Sequence, residues 1–457
     1  MERKTILCRK QVKKLKELPV AFLHRMKNLL EDEYEVFLRE YEKDPVRGIR
    51  FNPLKCTRET FLKCFPFLKV ASPYSPFSYI FPEEAGKIGQ HPLHHAGAVY
   101  SQEPSAAAAV TALAPQPGDM VLDLCAAPGG KSTQIAALLQ GKGLIWSNEI
   151  VRNRAQVLLS NMERMGVRNG VISSCGPDQL CRGLEGFFDC VLVDAPCSGE
   201  GMFRKDSRAV EEWSPEHSAS CAVRQRAILE SAAKALKPGG KLVYSTCTFA
   251  PEENEETVLA FLQGNPSFEL LDIGLSGGRP SMGKMWRIYP MDGGEGHFIA
   301  LMKKKEGESF LPPPYRAGTL SMEKAARALW NEIMKTPFPG NVEQGGNFLY
   351  ILPEGIPSYK GFGVLRAGVQ AFEIKGSRLE PCHHLFMASS PEAVRNRVDF
   401  SWNAPETAAF LRGEEIDVSS SLKGWVGVSV EGVMLGFGKA SGGKLKNRYP
   451  KGLRNHV

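Results

Sequence analysis

No apolar run in this chain approaches the ~20 residues that a membrane-spanning helix requires, although 43% of its 457 residues are hydrophobic. No apolar core or small-residue cleavage site follows the basic N-terminus, which argues against a secretory leader. The 11 cysteines are odd in number and form neither CxxC pairs nor a regular spacing. That argues against a disulfide framework and a zinc ribbon, and favours a reducing, cytoplasmic setting. Gly-x-Gly-x-x-Gly is missing, so the dinucleotide fingerprint fails as written. There is no internal repeat and no low-complexity tract. With 23% charged residues, the composition excludes a disordered chain, a collagen and a coiled coil. At roughly 100–200 residues per domain, the length suits two to four domains.

A net charge of +7 hides an uneven distribution. Residues 1–27 carry nine Lys/Arg against two acids, and residues 437–457 carry six against none. The body between them is therefore net acidic. Such ends are either solvated tails or two handles on a polyanion.

Periodicity divides the chain. Residues 17–45 read as helical, with Phe22, Met26, Leu29, Leu30, Tyr34, Phe37 and Tyr41 at three- and four-residue steps. Residues 46–82 read as mixed, with short extended pieces. An Ala-rich helix is expected from Ser105. Strands over Met120–Cys125, Leu144–Asn148, Val171–Ser174, Cys190–Val193 and Lys241–Ser245 then alternate with helices over Lys131–Leu139, Arg152–Met165, Ser220–Leu236 and Glu253–Leu262. Lys237-Pro-Gly-Gly marks a stop after the third of these helices. A closing hairpin is expected over 286–302. The alternation predicts an α/β fold with a doubly wound, mostly parallel sheet. A linker falls in 306–320. A helix near 322–334 and short strands follow, which suggest a separate small β-rich domain.

Three stretches carry chemistry. Val121-Leu-Asp-Leu-Cys-Ala-Ala-Pro-Gly-Gly-Lys131 is a strand, a glycine loop and a helix start. Small residues there admit a ligand, and the helix N-terminus favours negative charge. Glu149, at the end of the next strand, suits a ribose diol; its alternative reading is a helix N-terminal carboxylate. Val191-Leu-Val-Asp-Ala-Pro-Cys-Ser-Gly-Glu-Gly201 and Val243-Tyr-Ser-Thr-Cys-Thr248 each place a cysteine just past a strand's C-terminal end, where open α/β sheets bind ligands. Free cysteines are mostly small buried hydrophobes. Cys197 and Cys247 depart from that expectation by position, since a thiol at this edge can serve as a nucleophile. His91, His94, His95, Cys382, His383 and His384 fall short of four ligands at zinc-like spacing, so no metal is expected.

These stretches, in this order and spacing, resemble the Sun (Fmu) family of RNA cytosine-C5 methyltransferases, and most of all its bacterial RsmF-like 16S ribosomal RNA branch. Leu18-Pro-Val-Ala-Phe-Leu-His-Arg-Met-Lys, Gly48-Ile-Arg-Phe-Asn-Pro-Leu-Lys and His94-His-Ala-Gly-Ala-Val-Tyr-Ser-Gln-Glu-Pro-Ser extend the resemblance toward the N-terminus. Gly436-Phe-Gly-Lys and Lys444-Leu-Lys-Asn-Arg-Tyr-Pro-Lys-Gly-Leu-Arg454 extend it toward the C-terminus. The resemblance implies a Rossmann-like class I methyltransferase core over 101–305. An N-terminal α+β RNA-binding region would occupy 1–100. A C-terminal RNA-binding region over 321–457 would become PUA-like, small and β-rich, toward its end.

The resemblance also implies S-adenosyl-L-methionine as cofactor, held by Cys125, Ala126, Ala127, Pro128, Gly129, Gly130, Lys131, Glu149 and Asp194. Cys247 would be the nucleophile, adding to C6 of cytosine so that C5 can accept the methyl group. Asp194 would hold N3 of the base, and Cys197 would serve the release of the product. The family's adenine-contacting acid has no counterpart within Ser173–Asp178 unless Asp178 is used. Partners would be RNA, namely 16S rRNA or the 30S subunit, for a cytoplasmic monomer without membrane or metal. Arg50, Lys446, Arg448, Tyr449 and Lys451 are candidate RNA contacts by composition.

Alternatives remain on this reading. A transfer RNA cytosine-C5 methyltransferase would carry the same motifs. A non-catalytic RNA-binding assembly factor would need neither cysteine. An oxidoreductase leaves both cysteine motifs unexplained, and an amino-group methyltransferase would carry Asn-Pro-Pro-Tyr in place of Asp194-Ala-Pro-Cys197.

Overall fold

The computed structural model describes residues 18–82, 85–307 and 314–454. Cys8, the basic residues before Leu18 and the middle of the expected linker lie outside them. Helix Val20–Leu30 buries Phe22, Met26 and Leu30 at the spacing read from the sequence. A 3-10 turn over Glu31–Glu33 and helix Tyr34–Glu40 continue it. Strands β1 (Gly48–Phe51), β2 (Ser78–Ile80) and β3 (Val99–Ser101) form an antiparallel sheet with β1 in the middle. Between β1 and β2 stands a helix, Arg58–Cys64, that the mixed reading of this stretch did not anticipate. Thr57 starts it by accepting a hydrogen bond from the Thr60 N–H.

The central sheet has ten strands. Parallel strands β4 (Met120–Asp123), β5 (Leu144–Asn148), β6 (Gly170–Ser173), β7 (Phe188–Asp194) and β8 (Leu236–Thr246) lie in the order β8-β7-β4-β5-β6. Short strands β9 (Phe268–Leu271), β10 (Arg279–Ser281) and β11 (Met285–Ile288) and the long β12 (His297–Lys304) close one side in antiparallel fashion. Helices Gly130–Leu139, Arg152–Arg164 and Pro215–Ala235 cover the faces. Two apolar clusters lie around this sheet, one including Trp146 and Tyr244 and the other Ile145 and Val243, which are neighbours in sequence. That division follows from the two-residue alternation of a strand. The Lys237-Pro-Gly-Gly stop takes an unexpected form. Helix Pro215–Ala235 passes directly into β8, and residues 237–240 bulge from it, because Leu236 and Lys241 pair with Phe188 and Cys190.

The last third of the chain serves three sheets. After helix Glu323–Ile333, strands β13 (Val342–Gly345) and β14 (Phe348–Ile351) pair as a hairpin. Strand β15 (Val364–Ala367) returns to the core and adds antiparallel to β6. Strands β16 (Val369–Lys375) and β17 (Arg378–Pro381) complete the hairpin's sheet. A five-stranded sheet follows, made of β18 (Arg397–Phe400), β19 (Ile416–Asp417), β20 (Gly424–Val430), β21 (Val433–Ser441) and β22 (Lys444–Asn447). Its apolar face merges with that of the N-terminal sheet, Val428 and Leu435 sharing a cluster with Ile49 and Phe61. Among the described residues no helix is long and apolar enough to cross a membrane.

Candidate active site

The chain leaves β4 toward β5 and β6 on one side, and reaches β7 and β8 on the other. Loops at the C-terminal ends of β4 and β7 therefore diverge and open a crevice between them. All three chemical stretches end at this edge.

The first is held as a cradle. Ala126 N–H donates to Asn148 O at 2.9 Å, Arg154 donates to Ala127 O at 3.1 Å, and Asn161 donates to Pro128 O at 2.9 Å. Gly129 has a φ of +111°, which a side chain would strain. A Cβ on Gly130 would meet the Tyr100 ring at 3.3 Å and the Gln102 amide at 3.5 Å. A cavity of about 210 Å³ lies over this loop, lined by Cys125, Ala126, Ala127, Pro128, Gly130, Lys131 and Asp194. Asp123, Tyr100, Ser101, Gln102 and Ala106 complete its wall. Gly129 shapes the loop, and Glu149 stands behind it, outside the lining. Glu149 accepts a hydrogen bond from Val151 N–H at 2.9 Å and faces Arg154 at 3.5 Å, the helix N-terminal arrangement that was its alternative reading.

Lys131 Nζ donates to Asp194 Oδ2 at 2.7 Å. Burial opposes the lysine's charge, but the Asp194 carboxylate outweighs it and holds the ammonium above its ordinary pKa. Ser245 donates to the other oxygen, Asp194 Oδ1, at 2.8 Å. The carboxylate is thus fixed between the ends of β4, β7 and β8. Next to it the two cysteine loops meet. Cys197 Sγ lies 3.1 Å from Cys247 Sγ, and Cys247 N–H donates to Cys197 Sγ at 3.3 Å. The hydrogen bond with Cys247, followed by burial, pushes the Cys197 thiol well above its ordinary pKa. The two sulfurs are close enough to share one proton.

The structure thus brings Lys131, Asp194, Cys197 and Cys247 together. Asp178 goes elsewhere: it is half exposed and pairs with Arg182 at 2.8 Å and Lys234 at 3.4 Å. The stretch before it is occupied by Asn148, whose Oδ1 accepts from Ser173 Oγ at 2.8 Å and Cys175 N–H at 3.2 Å. Three candidate RNA contacts need correction. Arg50 is fully buried, donating to Gln102 at 2.8 Å, Gly130 O at 2.9 Å and Thr133 at 2.8 Å. Tyr449 is buried and meets His95 at 3.0 Å. Arg448 turns toward Glu380 and the Trp425 ring. Lys446 and Lys451 are exposed. His91 Nδ1 accepts Leu93 N–H at 3.1 Å, His383 contacts Glu163 at 3.1 Å, and His384 contacts Val167 O at 3.3 Å.

Sequence reasoning passed over Asp123, Tyr100, Gln102 and Ser245. Tyr100 and Gln102 lie 30 and 28 residues before Gly130, and nothing local ties them to the glycine loop. Ser245 lay in plain view within Val243–Thr248.

Four family models match the chain in order. They are the N-terminal domain of 16S rRNA methyltransferase RsmF over 18–104, 16S rRNA methyltransferase RsmB/F over 110–303, the RsmF rRNA methyltransferase first C-terminal domain over 328–388, and the methyltransferase RsmF PUA domain over 397–455. Ribosomal RNA small subunit methyltransferase F of Escherichia coli O7:K1 is 31% identical, covering 95% of this chain and 96% of that protein. Its namesake in Vibrio vulnificus is 31% identical over 95% of this chain and 97% of its own length. Among solved structures, a methyltransferase homolog protein from Pyrococcus horikoshii is similar with a TM-score of 0.56 and 29% identity, covering 65% of this chain and 99% of that one. NSun6 from the same organism, solved with SFG, is similar with a TM-score of 0.56 and 26% identity, covering 63% and 99%.

Proposed function

Because this chain belongs to the RsmF family of rRNA methyltransferases, we propose that it methylates C5 of a cytosine in 16S rRNA through a covalent bond between Cys247 and C6 of the base. The observation that carries this reading is the placement of two sulfurs 3.1 Å apart beside the Lys131–Asp194 pair. A methyltransferase acting on an amino group has no use for two thiols at one edge.

S-adenosylmethionine, when bound, supplies an electrophilic methyl group. The residues present fit it: a glycine cradle that a Cβ would fill, a lined cavity, and a buried Asp123 oxygen without a partner among the described residues. Cys125–Lys131, Asp194 and Glu149 would hold it.

Cytosine C5 is a poor nucleophile. Cys247, as thiolate, adds to C6, and the displaced π electrons make C5 nucleophilic. Charge moves to N3, which takes a proton relayed through Asp194 from the Lys131 ammonium hydrogen-bonded to it; the N3–H then donates to the Asp194 carboxylate, and the proton goes back to Lys131 by the same route when the product forms. Once C5 carries the methyl group, its own proton leaves to solvent water. The C–H electrons then re-form the C5–C6 double bond, and the Cys247 sulfur departs. Cys197, kept protonated, returns a proton to that sulfur. The base must be unstacked to reach this crevice.

Cys247→Ala tests the reading. Cofactor binding by calorimetry should change little, while transfer of labelled methyl to small-subunit rRNA, mapped by bisulfite sequencing, should be abolished. Retained 5-methylcytosine in the Cys247→Ala reaction would sink the covalent mechanism.

A further inference from the structure

The two cysteine loops are joined by a reciprocal pair of buried glutamates, and neither glutamate has a role in the chemistry above. Glu200, on the loop of Cys197, accepts Phe249 N–H from the loop of Cys247 at 2.9 Å. Glu253, after Cys247, accepts Ser198 N–H from the loop of Cys197 at 3.0 Å. Both are completely buried. Between them Ser198 Oγ and Thr248 Oγ1 lie 2.8 Å apart, and Gly201 N–H donates to Cys247 O at 2.8 Å.

Each glutamate is itself fixed from outside the loops. Glu253 accepts from Gln225 at 2.8 Å and Ser218 at 2.7 Å, both on helix Pro215–Ala235. Gln225 also donates to Pro196 O at 3.0 Å, one residue before Cys197. Glu200 accepts from Trp213 Nε1 at 3.0 Å and pairs with Arg25, whose other arm reaches Glu252 at 2.5 Å. Arg25 belongs to helix Val20–Leu30, so the N-terminal unit is wired into the cysteine loops.

Burying a carboxylate is costly unless it is fully hydrogen-bonded. Two such groups, gripping the N–H one residue after Cys197 and the N–H two residues after Cys247, mark a spacing that must be held. We infer that Glu253 and Glu200 are positioning residues that set the separation of the two thiols, Glu253 by holding the Cys197 loop where its sulfur can reach the Cys247 sulfur during release. This rests on the proposed covalent route. Glu253 touches neither base nor cofactor cavity and acts through Cys197.

The test uses the full chain, S-adenosylmethionine and an in vitro transcript of small-subunit rRNA. A misplacement near 1 Å costs about 10²-fold in rate. Glu253→Ala should lower turnover by roughly that factor, with the RNA KM and cofactor affinity unchanged. It should also accumulate a denaturant-resistant protein–RNA adduct, as Cys197→Ala should. Glu253→Gln should restore turnover and clear the adduct. Its amide oxygen can take the Ser198 and Gln225 donors, and its NH2 can face the Ser218 hydroxyl.

Adduct with Cys197→Ala but none with Glu253→Ala would overturn the positioning role. So would a Glu253→Gln as impaired as Glu253→Ala, since charge rather than acceptor geometry would then matter. No adduct in either variant would instead remove the covalent reading and this inference with it. Should Glu253→Ala fail to fold, Glu253→Asp carries the same measurement, because it keeps the charge and withdraws the acceptor by one methylene. Free turnover by Glu253→Asp overturns the inference equally.

Discussion

Asp123 ends β4 with no solvent exposure. Ser132 Oγ donates to its Oδ2 at 2.6 Å, and its Oδ1 has no partner among the described residues. Burial pushes its carboxyl from 3.8 up to about 7, against the pull of the Ser132 hydrogen bond. An acid with a raised folded pKa binds its proton more tightly when folded. Its contribution to stability is therefore best below its unfolded pKa of 3.8 and is lost as pH rises toward about 7. Asp123→Asn removes that dependence. In the cofactor-free protein, the urea-unfolding free energy of Asp123→Asn should gain on the natural chain between pH 5 and pH 8, by on the order of a few kcal/mol. A difference that stays flat across this range would show that Asp123 does not titrate there. Asp123 lines the cofactor cavity, so a bound cationic sulfonium should shrink the gap.

At the scale of elements, the N-terminal sheet is locked to the core at one close crossing. Asn52, just after β1, donates to Gly97 O at 2.9 Å and to Met165 O at 2.9 Å. Gly97 has a φ of +74°, and a Cβ there would lie 1.8 Å from Arg164 O. Gly97→Ala must force the helix Arg152–Arg164 and the strand β3 apart. We expect a loss of about 2–4 kcal/mol, read as a lower urea midpoint; an unchanged midpoint would mean the crossing is soft. This crossing also explains what the sequence could disclose. The helical reading of 17–45 holds over 20–40, where a 3-10 turn at Glu31–Glu33 divides it into two helices, and fails beyond Glu40. The βα alternation is a local pattern and stands. So do the three motifs, since each lies on one contiguous loop. Helix Arg58–Cys64 is too short for a readable stripe. The return of β15 to the edge of β6 depends on a partner nearly 200 residues away, and no local pattern encodes that. Arg50 looked like a surface cation because charge alone suggests solvent. Its burial is set by Gln102, Gly130 and Thr133, which come together only in the fold. Glu200 and Glu253 escaped for the same reason.

At the scale of the molecule, the C-terminal charge belongs to a folded unit rather than a loose tail. β21 pairs with β20 from Val433 to Ala440, Leu445 is fully buried, and Tyr449 packs beside His95 and Phe410. Cutting away residues 437–457 would break this sheet and expose its apolar face. Charge must therefore be tested by point changes. Several of these cations already have partners: Lys444 with Asp417, Arg448 with Glu380, and Lys439 over the Trp425 ring. Lys446 and Lys451 are exposed, and no carboxylate partner is recorded for either among the described residues. Each cation that neutralises a phosphate adds about 0.7–0.9 to the slope of log affinity against log salt. Lys446→Ala with Lys451→Ala should thus flatten the slope for rRNA binding by about 1.5, weaken binding mainly at low salt, and leave the urea midpoint in place. Arg50→Met should do the reverse, lowering the midpoint through the lost buried hydrogen bonds without changing the slope. If the double lysine variant keeps the full slope, those two side chains face only water, and the RNA path runs over another face of the molecule.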